Sequence, residues 1–241
     1  MKRVIFASIL LSLAGLSCSS PLSDTNVTDP SLLEPVLVVM KSINSSGARS
    51  VLYTAGIYDK NLNLVTLQNG SVKIDGFQMN ERANLFGGEH YFLQGESEVK
   101  FALDSTYTFT ITLSDGSKYY GEVTSQSDDL TEFDAPSSQS RTQPVNVNWK
   151  ATDPNAAMSI ELVYKYSTDT SSGGGTQTIS IPDPSTGQYS ISPDMFTTDK
   201  GTTNEVDLTL VSEVTGTIDP AFRAGGSTVC ELTIQRDVKL N

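Results

Sequence analysis

Histidine, tryptophan and cysteine are nearly missing from this sequence, which holds only His90, Trp149, Cys18 and Cys230. A lone histidine gives little support for a serine nucleophile that needs a nearby base, and it cannot supply the several His or Cys ligands of a usual zinc site. Basic residues are also few. Sixteen Lys and Arg face 28 Asp and Glu, a formal net charge of −12. Such a chain repels phosphate backbones, so no nucleic-acid partner is expected. No segment keeps a helical apolar period beyond a turn or two, which argues against a helical core. Gly173-Gly174-Gly175 is flanked by Ser172 and Thr176, without the lysine of a phosphate-cradling loop.

One apolar run is present. Lys2 and Arg3 precede Val4 to Ser17, where serines are the only polar residues. That is the layout of a secretory signal peptide over residues 1–17. The run is shorter than the roughly 17–25 residues of a spanning helix. Its end, Ala14-Gly15-Leu16-Ser17-Cys18, resembles a lipobox, with Gly15 where a large aliphatic residue usually stands and Leu16 displaced by one. Looser boxes of this kind are familiar from Bacteroidota lipoproteins. The resemblance implies cleavage before Cys18, diacylglycerol on its thiol, and palmitate among the two or three acyl chains carried there. A buried methylene contributes about 0.8 kcal/mol and one chain binds only marginally, so two or three hold effectively permanently. The expected partner of Cys18 is therefore a membrane. The lack of an acidic residue directly after Cys18 implies, by the same resemblance, outer-membrane sorting. Residues 18–30 are expected to form a polar tether. Loss of residues 1–17 takes away Lys2 and Arg3 and lowers the net charge from −12 to −14.

The remainder alternates at period two. In Tyr107-Thr108-Phe109-Thr110-Ile111-Thr112-Leu113, large apolar side chains occupy one face and threonines the other, the mark of a half-buried strand. Ser114 to Ser117 then turns the chain into Lys118–Thr124. Val36–Ile43 and Val51–Tyr58 form an expected strand pair around Ser45–Gly47. Val72–Ile74 and Val99–Leu103 add strands, with turns at Asp75-Gly76 and Gly87-Gly88. Residues 125–143 are polar and marked by proline, and they are expected to link a first domain (31–124) to a second (144–241). In the second, Val145, Val147 and Trp149 share a face, as do Ile160, Leu162, Tyr164 and Tyr166. Turns are expected at Asp153–Asn155 and Asp183–Gly187, and a hairpin tip at Gly173–Gly175. Strands follow at Thr176–Ile181, Tyr189–Ile191, Val206–Leu210 and Cys230–Ile234. Short strands with regular turns and no helices predict an all-β chain of two β-sandwiches.

Asn148-Trp149-Lys150-Ala151-Thr152-Asp153-Pro154, followed by Val163-Tyr164-Lys165-Tyr166, resembles early strands of fibronectin-III and immunoglobulin-like domains. Val72–Gly76 with Tyr107–Gly116 resembles the N-terminal Ig-like modules of Bacteroidota surface lipoproteins. Both resemblances imply tandem Ig-like sandwiches and carry no substrate.

The chemistry-bearing residues point mostly to structure. Cys230 shares a face with Leu232 and Ile234, which predicts a buried thiol, and lipidation of Cys18 would leave it without a disulfide partner. Gly87–His90 reads as a turn entering a strand. Asp128, Asp129, Glu132 and Asp134 crowd the expected linker, where calcium would need six to eight oxygens, but no spaced loop motif is present. Trp149 lies on the apolar face and is expected in the core. Tyr120 aligns with Glu122 and Thr124, as an exposed contact would. Asp104-Ser105-Thr106 resembles a Bacteroidota O-glycosylation triplet, with Ser105 as acceptor. No catalytic, cofactor-binding or metal residue is expected, and Cys18 is the single site residue. Three functions compete: a non-enzymatic envelope binding or scaffolding module with a protein or glycan partner, a fimbrial assembly subunit that donates a strand, and an envelope glycan- or peptide-processing enzyme.

Overall fold

The computed structural model describes residues 20–83, 89–94, 101–150, 156–223 and 225–241. The signal peptide, Cys18, Gly87-Gly88 and Asp153–Asn155 lie outside these residues. The strands in chain order are β1 (Leu33–Ile43), β2 (Arg49–Asp59), β3 (Ser71–Ile74), β4 (Phe77–Gln78), β5 (Asn80–Ala83), β6 (Glu89–Gln94), β7 (Thr106–Thr112) and β8 (Lys118–Thr124). They continue as β9 (Ser138–Gln139), β10 (Val145–Asn148), β11 (Ala157–Ser167), β12 (Ser172–Ile181), β13 (Gln188–Ile191), β14 (Thr202–Thr215), β15 (Thr217–Ile218) and β16 (Ser227–Leu240). Only short 3-10 turns interrupt the strands among the described residues, so the chain is all-β, as its period-two patterning predicts. None of the described helices is long and apolar enough to cross a membrane.

The chain divides into two compact units, each assembled from separate stretches of sequence. One contains residues 1–40, 51–125 and 215–230; the other contains 41–50, 126–214 and 231–241. The expected division into 31–124 and 144–241 is sequential, whereas this one is not. Strands β1, β2, β14 and β16 each pass from one unit to the other along their length.

In the first unit, β15-β8-β7-β3-β4 form one sheet, and β1-β2-β6-β5 run in order within a second. Strand β7 alternates with Tyr107, Phe109 and Ile111 buried, because those side chains face Tyr53 and its neighbours in the second sheet. The Tyr53 and Tyr107 ring centroids are 5.9 Å apart. Gly121 in β8 permits the close approach: a Cβ there would press on Leu37 and lie 2.6 Å from the Thr228 hydroxyl. The expected β7–β8 hairpin turns at Ser114–Ser117, with Thr112 opposite Lys118 and Leu113 N–H donating to the Ser117 carbonyl. Phe101 to Leu103, by contrast, are not in a strand.

Residues 20–30 are not a free tether. Ser20 is buried, its amide donates to the Leu64 carbonyl (2.9 Å), and Val27 is in the core.

In the second unit the order β12-β11-β14-β16 brings Ile160, Leu162, Val206, Leu208, Leu210, Leu232 and Ile234 into a core, together with Val145, Val147 and Ile191 of the β10–β13 pair. Residues 126–143 are part of this unit. Leu130 and Phe133 are buried, Gln126 donates to the Ser212 carbonyl (2.7 Å), and β9 pairs in parallel with the end of β16. The polar residues that suggested a linker make turns and caps: Asp128 accepts from Leu130 N–H and Asp129 from Thr131 N–H.

Candidate functional site

The residues singled out in the sequence fall into three groups. Trp149 and Cys230 are in the core. The Trp149 indole N–H donates to the Pro184 carbonyl (3.0 Å), so the ring fastens the 183–187 turn and is not a glycan platform. Cys230 is fully buried beside Leu232 and Ile234, as the alternation predicts.

Three of the four acidic residues of 128–134, Asp128, Asp129 and Glu132, are paired. Asp129 bonds Arg49, and Lys150 lies 3.2 Å from Asp128 and 4.0 Å from Glu132. Burial opposes ionisation of Asp129, but hydrogen bonds from Thr131 and Arg49 outweigh it and hold its carboxyl below the usual range. Among the described residues no group of three or more His, Cys, Asp or Glu side chains is placed to hold a metal. His90 lies in β6, in backbone register with Arg82 of β5. The Ser105 hydroxyl donates to the Leu103 carbonyl (3.1 Å).

The third group is on the surface. Tyr120 is 46% exposed on β8, in register with Thr110, while Tyr119 packs on Phe222. The more extended surface is the β11–β12 hairpin, where the structure corrects the sequence reading. Gly173–Gly175 are not a hairpin tip. They are strand residues, in register with Tyr166, Lys165 and Tyr164. The turn is Thr168–Ser171, closed by Thr168 N–H donating to the Ser171 carbonyl and by the Thr168 hydroxyl accepting from Thr170 and Ser171 amides.

The glycines make room for the tyrosines. A Cβ at Gly173 would lie 2.5 Å from the Tyr166 hydroxyl, and one at Gly175 would collide with that of Tyr164. Both rings therefore lie across the neighbouring strand, half-buried, where aromatic cover replaces the missing glycine side chains. On the opposite face of β11, Val163 is exposed and Lys165 bridges Glu205 (2.7 Å) and Asp207 (2.8 Å). Hydrogen bonds that the ammonium donates to Asp207 and Glu205 raise the lysine pKa.

Among the described residues strand β12 is also the last strand of its sheet, next to β11. Across Ser172–Ile181 it has no charge and no proline. The other edges differ. Strands β4 and β15 are two residues long, β10 and β13 four, and β5 carries Glu81 and Arg82. Short or charged edges resist pairing with another strand, whereas a long uncharged edge leaves a row of backbone donors and acceptors open to one. No charge signal marks this surface in the sequence. The one sequence clue is Tyr-x-Tyr followed, past a Ser/Thr turn, by a glycine run.

Inward of the hairpin, Glu231 on β16 faces away from Cys230. Burial, with the charges of Glu161 and Glu213, pushes its carboxyl up to about 7.

No family model matches the sequence, and no curated protein matches it. Similar solved structures include the FN1-FN3 domains of chicken CNTN1, at 6% identity and a TM-score of 0.25, covering 78% of this chain. The Yersinia pseudotuberculosis adhesin InvE is 16% identical with a TM-score of 0.25, covering 88% of this chain. The chain spans 60% of the length of each of them. At these values neither likeness bears on function, and the all-β fold rests on the strands themselves.

Proposed function

We propose that this protein is a lipid-anchored, non-enzymatic binding or scaffolding module of the cell envelope, held at the outer membrane through Cys18 and recognising its partner through the β11–β12 edge. The supporting observation is strand β12, an uncharged ten-residue strand at the end of its sheet among the described residues, beside Tyr164 and Tyr166. Main-chain bonds to an added strand supply affinity, and side chains on alternate faces supply selectivity. An extended protein segment fits this edge best. A glycan stacked on the two tyrosines is the other ligand class that the surface admits.

A photo-reactive residue at Thr176, exposed on β12, tests the proposal in the native membrane. The expected result is a discrete adduct that is absent when the same residue replaces Thr110 on the other unit. Equal labelling at both positions, or turnover of an envelope peptide or glycan abolished by one carboxylate substitution, would sink the reading.

The same edge favours one second reading, assembly by strand exchange between copies. It predicts that the adduct is a multimer of this chain.

A further inference from the structure

Among the described residues, five other than glycine have backbone in the left-handed region: Leu62, Asn69, Asp75, Asp104 and Leu130. Asn and Asp enter that region readily because their short polar side chains bond locally, whereas a leucine there is strained. The two leucines differ in what offsets the strain. Leu130 is 2% exposed, so burial of its side chain compensates. Leu62, at φ +62°, is 52% exposed at the tip of the turn after β2. At that exposure Leu62 gains little burial in water to offset the strain.

The turn is rigidly made. Asp59 N–H donates to the Asn63 carbonyl and Leu62 N–H to the Asp59 carbonyl, both at 2.9 Å. The Asp59 carboxylate accepts from the amides of Asn61 (2.8 Å) and Asn63 (3.0 Å). Burial opposes ionisation of Asp59, yet these bonds and one from Ser20 hold its carboxyl below the usual range. The bond from Ser20 is decisive. Its hydroxyl donates to the Asp59 carboxylate at 2.6 Å, and the Ser23 hydroxyl accepts from Thr66 N–H at 2.9 Å. The chain is thus fastened to the base of the Leu62 turn from Ser20 onward. Cys18 precedes Ser20 by two residues, which span at most about 7 Å.

We infer that the Lys60-Asn61-Leu62 tip is a membrane-contact element that seats the first unit on the bilayer surface, with Leu62 in the interfacial hydrocarbon and Lys60 at the head groups. This rests on lipidation of Cys18 as proposed above. A lipid at Cys18 places the bilayer beside this turn, where Leu62 exchanges water for acyl chains. Ser20, Asp59 and the turn then act as a fixed stem, and the first unit stands on the membrane at one defined end. The membrane reaches the loop through the lipid and not through net charge, since the mature chain is strongly acidic.

The test uses lipidated mature protein in phosphatidylethanolamine and phosphatidylglycerol vesicles. An environment-sensitive fluorophore is placed on Leu62→Cys, on Asn61→Cys as a second probe that keeps the leucine, and on Thr124→Cys. Thr124 pairs with Thr106, at the opposite end of β7 from Thr112, and Ser114 just past Thr112 donates to the Gln68 carbonyl, six residues after Leu62. Seven strand residues put those ends roughly 20 Å apart. Cys230 is buried and stays unlabelled. The expected result is a blue shift, and several-fold stronger quenching by lipid-borne quenchers, at positions 62 and 61 relative to 124. Equal, water-like emission at all three, on protein whose intact mass shows lipid on Cys18, would overturn the contact and leave the anchor standing. An unmodified Cys18 would overturn the anchor, and the contact with it.

Discussion

Gly121 in the first unit and Gly173–Gly175 in the second are all strand glycines, yet they shape opposite surfaces. At Gly121 the missing side chain faces inward, where Leu37 and Thr228 close on the backbone and seal the core of the first unit. At Gly173 and Gly175 the space is taken by Tyr166 and Tyr164 from the neighbouring strand, and the strand edge beyond them is open. The same residue type therefore serves packing in one place and a flat aromatic surface in the other. What distinguishes them is the flanking sequence: Gly121 sits in an alternating Tyr-Tyr-Gly-Glu-Val segment inside a hairpin, while the triplet has no apolar neighbour to draw it inward.

The comparison breaks most visibly at Gly121. Gly121→Val should destabilise the first unit by about 1–3 kcal/mol, because overpacking a closed core forces the sheets apart. Urea unfolding measures it, and an unchanged midpoint would mean that the sheets do not meet there. Gly175→Ala should cost far less, within about 0.5 kcal/mol, because the atom it meets is the far end of a tyrosine that can swing out. Its effect should appear instead as a weaker Thr176 cross-link.

A second contrast is electrostatic and of similar size. Glu231 has an ordinary value of 4.5 and is pushed up to about 7 in the fold. A carboxyl with a raised folded pKa favours folding most below its unfolded value, and that contribution is lost as the pH rises from about 4.5 to about 7. Glu231→Gln should therefore stabilise the protein at pH 8 by about 1–3 kcal/mol and flatten the melting temperature across that window. Glu122→Gln, on the exposed face of β8, should change stability at pH 8 by less than about 0.5 kcal/mol.

Smaller effects follow elsewhere. Leu62→Gly should raise stability in solution by about 1 kcal/mol, since glycine adopts the left-handed backbone without strain. The same change at Leu130 should destabilise, because it empties a buried site. Ser212→Ala should be neutral or slightly stabilising, as the buried Ser212 hydroxyl has no hydrogen-bond partner among the described residues. Differential scanning calorimetry ranks all three.

Much of the fold is legible in the sequence because strands announce themselves locally. The alternation at 107–113, the Ser114–Ser117 turn, the Trp149 face and the Cys230–Leu232–Ile234 face each depend on a few consecutive residues. What escapes is set by distant partners. Gly173–Gly175 reads as a turn until the tyrosines seven and eleven residues earlier are paired with it. Residues 125–143 read as a linker because Leu130 and Phe133 are their only buried apolar side chains among the described residues, and two positions set no period. The partition into units depends on long strands that pass from one unit to the other, and no local pattern encodes that. The β12 edge escaped for the same reason, since an edge is defined by the strand that fails to arrive.

Hydrogen exchange on β12 tests the binding proposal most directly. Lipidated protein is followed before and after it is mixed with envelope extract from its own cells. An added strand should slow amide exchange within residues 172–181 and leave β8 unchanged. Exchange in β12 that stays the same while protection appears around Tyr120 on β8 would contradict the edge as the recognition surface.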